Sequence, residues 1–498
     1  MFDISPYDSK LSAFDCLVKE FEIICDRCAG RLFYGFEHQG NRLTNRDDRK
    51  DSNDKSVRKV ERSVREQPSA QPSNSLLQKM DYSALGHSIR TVWEKKTGTK
   101  VHDGECAICE NIYSGISRFV KLAYDASKEY EFSTFLVGTR IDDELKNAEE
   151  KALSLLENSF GRKRQCREGV SLLKEDLNHE IASELRIMLN KSISFENPDI
   201  VFILDTRYDT VTCQVTPVYI EGRYRKLVRG IPQTKWPCRA CRGKGCKRCN
   251  GSGRMYETSV EEIIAKEPVA LLSAKGESFH GMGREDIDAL MTGNGRPFVL
   301  EIEAPKYRAY DLKELLKRIN ESAEGKVEVT SLSYSSKERV RIIKEEEHSK
   351  TYLIHLLFEN PQNREDIKKA VSRLSGKEIA QRTPERVSHR RADKVRNRRI
   401  YSAIVHLPPK RFGRWEYLKG PTAAGSAEKD EPAVPVGIMK PGVDEKVNHA
   451  IIEIHAQGGT YIKELMNGDE GRTQPNLSSL LGVPITCLAL DVILIHDS

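Results

Sequence analysis

The sequence predicts an α+β protein with more than one domain. Its 498 residues are more than one hydrophobic core usually supports, so we expect two to four domains. Segments with helical and with strand-like periodicity come in blocks, which favours α+β over a doubly wound sheet. Most of its twelve cysteines fall into CxxC pairs, and in a reducing compartment such pairs favour metal sites over disulfides.

The charges of the chain are nearly balanced. Eighty basic and 74 acidic side chains leave a formal charge of +6, so a surface for polyanions must come from local clustering. No run approaches 18 apolar residues, and the first residues, MFDISPYDSK, lack a basic region followed by an apolar stretch. We therefore expect a cytoplasmic protein with no membrane span and no secretion signal.

Residues 1–113 contain two CxxC pairs that are far apart in sequence, Cys25 with Cys28 and Cys106 with Cys109. Four thiolates satisfy a tetrahedral Zn²⁺, so we predict one zinc site that closes the long intervening loop. Two unrelated pairs, or a redox pair, are the alternative. Within the loop, residues 41–75 have few large apolar side chains and are predicted to be a mobile insertion.

Residues 114–235 are predicted to form an accessory α+β region that binds RNA. Helical spacing occurs in residues 141–159 and 171–190, and residues 198–224 are strand-like. The segment YIEGRYRKLVRGIPQTKW interleaves cations with aromatic residues, a composition suited to phosphate contacts and base stacking. A solvated strand edge is the alternative. The cations that we predict to contact RNA are Arg223, Arg225 and Lys226.

Residues 236–256 form a connector that repeats CxxCxGxG, first as CRACRGKG and then as CKRCNGSG. The repeat is similar to the zinc-centre repeat of DnaJ-type chaperones, which have four copies where this chain has two. Zinc and two stacked glycine turns remain open alternatives. The four candidate ligands are Cys238, Cys241, Cys246 and Cys249.

Residues 257–498 are predicted to form a catalytic domain with an antiparallel or mixed sheet. Capping boxes at Ser259 and Asp311 predict the starts of two helices. Strand-like segments include TYLIHLLF at residues 351–358, and the Pro- and Gly-rich residues 420–445 are predicted to be a flexible insertion. The sequence has no GxxxxGK[ST], HExxH or GxSxG motif, so these nucleotide-binding and hydrolytic classes are not indicated.

The segment GMGREDIDALMTGNGRPFVLEI places acidic residues in a glycine-rich loop before a strand. Catalytic groups are often placed on loops that a rigid scaffold supports, so Asp286 is a candidate nucleophile. A surface turn in which Asp286 pairs with Arg284 is the alternative, and Asp288 is a rival nucleophile.

Residues 382–399, RTPERVSHRRADKVRNRR, contain eight Lys or Arg against two acidic residues. A solvated helix face normally balances its charges, so this segment favours a polyanion partner. We predict that Arg382, Arg390 and Arg391 contact RNA.

Three segments in order, GREDID, SKTYLIHLLF and GGTYIKEL, resemble the active-site motifs of pseudouridine synthases. The segments FLVGTR, PVYIEGRYRKLVRGIPQTKWPCRACRGKGC and QRTPERVSHRRADKVRNRR are similar to archaeal and eukaryotic tRNA pseudouridine synthases of the Pus-ten type. The resemblance implies a zinc-binding and THUMP-containing N-terminal region, followed by a pseudouridine synthase domain. It also implies a monomer that isomerises uridine 54 and/or 55 in the TΨC loop of tRNA, with structural zinc and no organic cofactor.

The resemblance also implies roles for individual residues. Asp286 matches the catalytic aspartate, Lys463 the basic residue that pairs with it, and Tyr352 the aromatic residue that stacks on the flipped uracil. By the same likeness Tyr461, Leu490 and Arg284 contact the substrate.

Two other classes of protein are alternatives to a pseudouridine synthase. A THUMP-bearing RNA methyltransferase or thiolase needs a glycine-rich cosubstrate loop after a strand, which is absent from the sequence. A non-catalytic zinc-containing RNA-binding protein or RNA chaperone fits the cysteines and basic segments, but it does not account for Asp286, Tyr352 and Lys463.

Overall fold

The computed structural model describes residues 6–37, 81–160, 170–406 and 446–496. The insertions predicted at residues 41–75 and 420–445 lie outside the described residues, as does Cys166. The chain divides into two compact units, Met1–Thr216 and Pro217–Ser498. Each unit is described by itself.

The first unit consists of helices and a small mixed sheet. Its helices are α1 (Pro6–Phe21), α2 (Asp26–Glu37), α3 (Tyr82–Thr97), α4 (Ile116–Ser127), α5 (Asp143–Phe160) and α6 (Leu173–Leu189). Its strands are β1 (Thr134–Arg140), β2 (Ser192–Ile193), β3 (Ile200–Asp205) and β4 (Thr210–Val215). The order is β2-β1-β3-β4, in which only the β3/β4 pair is antiparallel.

The sequence pattern explains these elements. In β1 the side chains of Phe135 and Val137 are buried while their neighbours are more exposed, as period-two alternation requires. The predicted helices at residues 141–159 and 171–190 are confirmed as α5 and α6. Apolar residues from the helices and the sheet form one continuous core in this unit.

The second unit is built on a ten-stranded mixed sheet. Its strands are β5 (Val218–Lys226), β6 (Gly276–Gly281), β7 (Leu290–Glu303), β8 (Val327–Tyr334), β9 (Lys350–Asn363), β10 (Glu378–Arg382), β11 (Val395–His406), β12 (Lys446–Ala456), β13 (Thr473–Gln474) and β14 (Ile485–Ile495). Its helices are α7 (Val260–Leu271), α8 (Leu312–Ser322), α9 (Lys337–Glu345), α10 (Arg364–Leu374), α11 (Ile462–Asn467) and α12 (Leu477–Leu481). Together with the first unit, this sheet confirms the predicted α+β class.

The strand order is β13-β10-β11-β12-β9-β14-β7-β5-β8, and β6 pairs with β7. Neighbouring strands are antiparallel except β14 and β7, which are parallel. Strand β5, which the sequence placed in the accessory region, pairs with β7 and β8 of this sheet. The loop between β6 and β7 therefore starts and ends in the middle of a well-anchored sheet.

Both predicted capping boxes begin helices. The Ser259 hydroxyl accepts a hydrogen bond from the Glu262 N–H at 3.2 Å at the start of α7. The Asp311 carboxylate accepts from Lys313 N–H at 2.7 Å at the start of α8. Two apolar clusters form the core of this unit. Among the described helices, none is both long and apolar enough to cross a membrane.

Candidate active site and cysteine clusters

Residues 283–288, hereafter the catalytic loop, connect β6 to β7. Gly283 has φ = 71°, a conformation that L side chains rarely adopt. Main-chain hydrogen bonds fix the loop at both ends, from Met282 N–H to the Pro297 carbonyl at 3.0 Å and from Ala289 N–H to the Asp286 carbonyl at 3.1 Å. The loop is therefore a rigid support for its side chains.

Below the loop lies a buried network of polar groups centred on Glu285. The Glu285 carboxylate and the Arg296 Nε are 2.8 Å apart, and both side chains are almost fully buried. The Tyr224 hydroxyl donates to Glu285 at 2.9 Å, and Gln233 Nε2 donates to the Gly283 carbonyl at 3.0 Å. Burial raises the pKa of Tyr224, and the charge of Glu285 adds to this shift. The hydroxyl therefore keeps its proton and acts as a donor.

Lys226 completes the buried network and corrects a sequence prediction. Its ammonium group is buried and donates to the carbonyls of Ile231, Asp286 and Ile287 at 3.0 to 3.1 Å. Burial lowers its pKa to about 8 although Glu285 and Asp288 oppose the shift. We predicted that Lys226 contacts RNA, but its three donors are used inside the protein, where they hold the catalytic loop.

The solvent-exposed side of the loop is hereafter the open face. It consists of Asp286, Asp288, Lys463 and Arg386. Lys463 Nζ lies 3.4 Å from Asp286 Oδ2 and 2.9 Å from Asp288 Oδ2, so one ammonium group serves both carboxylates. Arg386 Nη1 lies 3.6 Å from Asp286 Oδ1. The side chain of Asp286 is 36% exposed, which leaves the carboxylate accessible between two cations.

Lys463 and Asp288 shift each other's pKa. Burial alone would lower the pKa of Lys463, but the hydrogen bond and charge of Asp288 and the charge of Asp286 raise it. Burial alone would raise the pKa of the Asp288 carboxyl. The hydrogen bond and the charge of Lys463 outweigh burial and lower this pKa. The lysine is therefore a cation between two acidic side chains.

Hydrogen bonds from β10 hold the chain just before α11, the helix that carries Lys463. Lys463 lies at the start of α11, and the side-chain amide of Gln381 on β10 accepts from Tyr461 N–H and donates to the Tyr461 carbonyl, each at 2.9 Å. The buried Glu464 accepts from Arg386 Nε at 2.6 Å. This pairing orients Arg386 towards Asp286.

Tyr352 and Leu490 lie on neighbouring strands beside this site. Tyr352 of β9 is opposite Val492 of β14, and Leu490 is opposite Ile354. Since side chains alternate along a strand, Tyr352 and Leu490 are on the same face of the sheet. Burial raises the pKa of Tyr352 to about 12. The charge of Arg296 opposes this shift, and the charge of Asp286 adds to it. Both side chains are buried in one apolar cluster, and the charge of Asp286 acts on the Tyr352 hydroxyl.

Arg284 precedes Asp286 by two residues, and Tyr461 precedes Lys463 by two residues. The Tyr461 hydroxyl accepts a hydrogen bond from Arg391 at 3.2 Å. Arg284 is exposed, and its guanidinium carbon lies 5.0 Å from the ring centre of Trp236. The structure thus gives Arg284 a cation–π contact, where the alternative from sequence was a surface pair with Asp286.

The remaining predicted RNA contacts have partners within the second unit. Arg223 donates to the Asn294 carbonyl at 2.9 Å and Arg225 to the Gly293 carbonyl at 2.6 Å, so both hold the turn inside β7. Arg382 forms a forked pair with Asp393 at 2.5 to 3.0 Å. The side chain of Arg390 lies outside the described residues.

Sequence reasoning missed three residues of this site. Arg386 was seen only as one member of a basic segment, while Gln381 and Glu464 were not singled out. The signal for Glu464 was its place beside Lys463 in GGTYIKEL. No local pattern in the sequence indicates that Gln381 would clamp Tyr461, because the two residues meet only through the sheet.

The first cysteine cluster consists of Cys25, Cys28, Cys106 and Cys109. Their sulfur atoms all lie within 4.8 Å of one another, and three of the residues are buried. Arg31, fully buried, donates to Cys28 Sγ at 3.6 Å and so places a positive charge beside the thiols. Four sulfurs around a tetrahedral ion lie about 3.8 Å apart for metal–sulfur bonds of about 2.3 Å. The predicted ligands are therefore brought together in a way that fits a metal ion.

The second cluster, Cys238, Cys241, Cys246 and Cys249, is more exposed but equally compact. Sulfur–sulfur distances are 3.9 Å for Cys238 and Cys246 and 3.8 Å for Cys241 and Cys249. The Gly245 N–H and the Gly253 N–H each donate to a sulfur at 3.2 Å. These donors stabilise thiolates, so this cluster also fits a metal ion. The described residues hold no third group of this kind.

Comparison with known proteins is consistent with this geometry. The family model "Pus10, C-terminal" matches residues 219–412 and 437–496. The model "Pus10 THUMP domain, archaeal" matches residues 119–205. Both models cover the parts of the chain whose motifs carried the resemblance.

Several curated relatives are named tRNA pseudouridine synthase Pus10. The protein of Methanocaldococcus jannaschii is 33% identical over 497 residues, covering 99% of this chain and 97% of the relative. That of Methanothrix thermoacetophila is 36% identical, covering 94% and 91%. That of Archaeoglobus fulgidus is 39% identical, covering 78% and 94%. A solved Cbf5-Nop10-Gar1 complex matches with a TM-score of 0.26 at 13% identity. The match covers 54% of this chain and 50% of that one.

Proposed function

Because the chain belongs to the Pus10 family, whose curated members are named tRNA pseudouridine synthases, we propose that it isomerises uridine to pseudouridine in tRNA. The proposed targets are uridine 54 and/or 55 of the TΨC loop. The observation that carries the proposal is the partly exposed Asp286 carboxylate between Lys463 and Arg386.

The reaction needs little beyond a carboxylate and a closed pocket. The bond between C1′ and uracil N1 breaks, the uracil turns, C5 bonds to C1′, and the C5 proton is lost while N1 gains one. Substrate and product are isomers, so the reaction needs no redox cofactor. A carboxylate stabilises or attacks the electron-poor C1′ that develops, as in other cleavages of glycosidic bonds.

Asp286 has two chemical routes open to it, attack on C1′ or removal of a sugar proton to form a glycal. Both need an ionised carboxylate at the start. Lys463 and Arg386 place two positive charges beside this carboxylate. The buried network below the loop keeps Asp286 in place, because Lys226 donates to the Asp286 carbonyl itself at 3.1 Å. Fixed geometry of this kind lowers the cost of reaching the transition state.

The base is proposed to leave its stack and enter the pocket beside Asp286. There Tyr352 stacks on the uracil, and Leu490, Tyr461 and Arg284 line the pocket. Arg391, which contacts the Tyr461 hydroxyl, is at the pocket rim and is our candidate for contact with a neighbouring phosphate.

Both cysteine clusters are proposed to hold structural Zn²⁺, since four thiolates are typical of closed zinc sites. The residues would be Cys25, Cys28, Cys106 and Cys109 in the first site and Cys238, Cys241, Cys246 and Cys249 in the second. A reducing compartment keeps such thiols free, so we propose that the protein acts in the cytoplasm. We propose a monomer because one chain supplies Asp286, Tyr352 and Lys463.

The competing function is a non-catalytic zinc-containing RNA-binding protein or RNA chaperone. The test incubates the protein with tRNA transcripts that have uridine at 54 and 55 or cytidine at one of these positions. Carbodiimide-dependent primer-extension stops report pseudouridine at each site. We expect wild type to give stops and Asp286→Ala to give none while it binds the transcript equally well. Binding without stops in wild type would support the competing function.

A further inference from the structure

The segment 235–256 folds as a compact hairpin around the second cysteine cluster. The Met255 N–H donates to the Trp236 carbonyl at 3.0 Å, and the Cys238 N–H donates to the Gly253 carbonyl at 2.7 Å. This closure brings Trp236 and Tyr256 together, with ring centres 5.5 Å apart and planes at 75°. Two aromatic rings thus stand side by side at the base of the hairpin.

A groove of about 330 Å³ lies next to these rings and is hereafter the knuckle groove. The side chains that line it include Lys235, Trp236, Pro237, Arg254, Tyr256 and Glu262. Its volume is at the lower end of the range of ~300–1,000 Å³ for small-ligand clefts. The groove is open to solvent, so a single flat group on a longer chain can enter it.

The hairpin around the groove is strongly basic. Residues 235–256 contain seven Lys or Arg and no Asp or Glu. Five of the cations surround the cysteines, and all five are exposed. Within the part of the chain that the structure describes, none of the five forms an ion pair with a carboxylate. They are Arg239, Arg242, Lys244, Lys247 and Arg248. A surface that is only solvated normally mixes both signs, so this one fits a polyanion.

The knuckle groove is physically joined to the catalytic loop. Arg284 lies over the ring of Trp236, and it precedes Asp286 by two residues. Two residues of extended chain span at most about 7 Å. The backbone just before Arg284 is held by Gln233, whose amide donates to the Gly283 carbonyl at 3.0 Å. The groove and the loop that carries Asp286 are therefore linked through Arg284.

We propose that the knuckle groove binds an unpaired nucleotide of the RNA substrate. Its base stacks on Trp236 or Tyr256, and its neighbouring phosphates contact the exposed cations of the hairpin. Aromatic rings beside a basic surface are typical of sites for single-stranded RNA, because stacking accepts any base and the cations follow the backbone. The inference rests on the proposed function in taking tRNA as the RNA.

The test measures affinity rather than activity. An unmodified tRNA transcript is titrated into full-length Asp286→Asn protein, which is expected to bind without turnover. We expect Trp236→Ala and Tyr256→Ala, each added to this background, to weaken binding about five- to hundredfold, since stacking on one base contributes this much. Trp236→Phe keeps a ring and should lose less.

The matched control is Tyr307→Ala. Tyr307 is also an exposed aromatic residue, but its N–H donates to the Leu272 carbonyl just after the far end of α7, about 18 Å along that helix from the groove. Its affinity for the transcript should be unchanged. Melting temperature and bound metal, measured on every variant, separate loss of contact from loss of the hairpin fold.

The phosphate contacts are tested through salt dependence. Arg242→Ala combined with Lys247→Ala should reduce the slope of log affinity against log salt by about 2. Unchanged affinity in folded Trp236→Ala and Tyr256→Ala would overturn the proposal and leave an acidic polypeptide as the candidate occupant. If wild type forms no pseudouridine, the proposed function fails, but the affinities of these variants still decide whether RNA occupies the groove.

Discussion

Glu285 and Asp286 are neighbours in one loop, and both pair with basic side chains. Glu285 is buried, whereas Asp286 is partly exposed to solvent. Glu285 faces the buried network, where its side chain and that of Arg296 are at most 1% exposed. Asp286 faces the open side, where its side chain is 36% exposed and its cations lie 3.4 and 3.6 Å away. Breaking the buried pair would leave an unpaired charge out of water, whereas the open pair can rearrange around a substrate.

The comparison assigns different tasks to the two sides. The buried network, consisting of Glu285, Arg296, Tyr224, Gln233 and Lys226, fixes the backbone of the catalytic loop. The open face, consisting of Asp286, Asp288, Lys463 and Arg386, is proposed to supply charge to the substrate. Substitutions in the first should change stability, and substitutions in the second should change the rate of reaction.

The largest effect on stability is expected for Arg296→Met. Removing the guanidinium leaves Glu285 buried without its cation, which costs about 3–5 kcal/mol. Calorimetry should show a melting temperature about 10 °C lower for the second unit. Arg318→Met is the control, because its pair with Glu267 is partly exposed and should contribute less than about 1 kcal/mol. Equal shifts in both variants would contradict a special role for the buried pair.

Lys226→Met should destabilise the protein by about 2–3 kcal/mol, because three carbonyl groups lose a charged donor. The pKa of Lys226 is lowered to about 8 in the folded protein. The unfolded chain therefore binds more protons between pH 8 and about 10.5, so wild-type stability should rise over this range relative to the variant. A stability difference that stays constant from pH 7.5 to 10, measured by urea unfolding, would contradict the assignment.

Lys463→Met should act on the reaction rather than on the fold. We expect single-turnover formation of pseudouridine to slow about 10- to 100-fold, since one charge near the carboxylate is lost. The melting temperature should change by less than about 3 °C. Because the pKa of Lys463 is raised above 10.5, the wild-type rate should not fall from pH 7 to 9 through loss of this charge. Lys368→Met, in an exposed helical pair, is the control and should react at the wild-type rate.

Asp288→Asn is expected to have the smallest effect, a change in rate of less than about fivefold. Asp288 shares Lys463 with Asp286, but its side chain is 65% exposed and its ion pair contributes little. Primer-extension stops measured over time would check this. A loss as complete as that expected for Asp286 would instead make Asp288 the essential carboxylate.

Much of the proposed active site was predictable from sequence because it consists of short motifs. Asp286, Tyr352 and Lys463 each stand in a recognisable segment, and the cysteine clusters follow from CxxC spacing. The α+β class also followed from periodicity, as α5, α6 and β3 show.

The buried network was not predictable in the same way. Lys226 looked like a surface cation because it lies among Arg223, Arg225 and Arg229 in one basic strand segment. Its burial depends on strand β5 pairing with β7, which places Lys226 opposite Met291 and beneath the catalytic loop. Arg296 gave no local signal either, since only the folded sheet brings it to Glu285. Long-range pairing, rather than composition, decides which cations are buried and hold the backbone.

The central claim is that Asp286 acts in the reaction while Glu285 holds the loop. It is tested most directly by measuring single-turnover pseudouridine formation and melting temperature on the same preparations of Asp286→Asn and Glu285→Gln. We expect Asp286→Asn to lose at least about 10⁴-fold in rate with a nearly unchanged melting temperature, and Glu285→Gln to melt several degrees lower. Pseudouridine formed by Asp286→Asn at the wild-type rate would contradict the account.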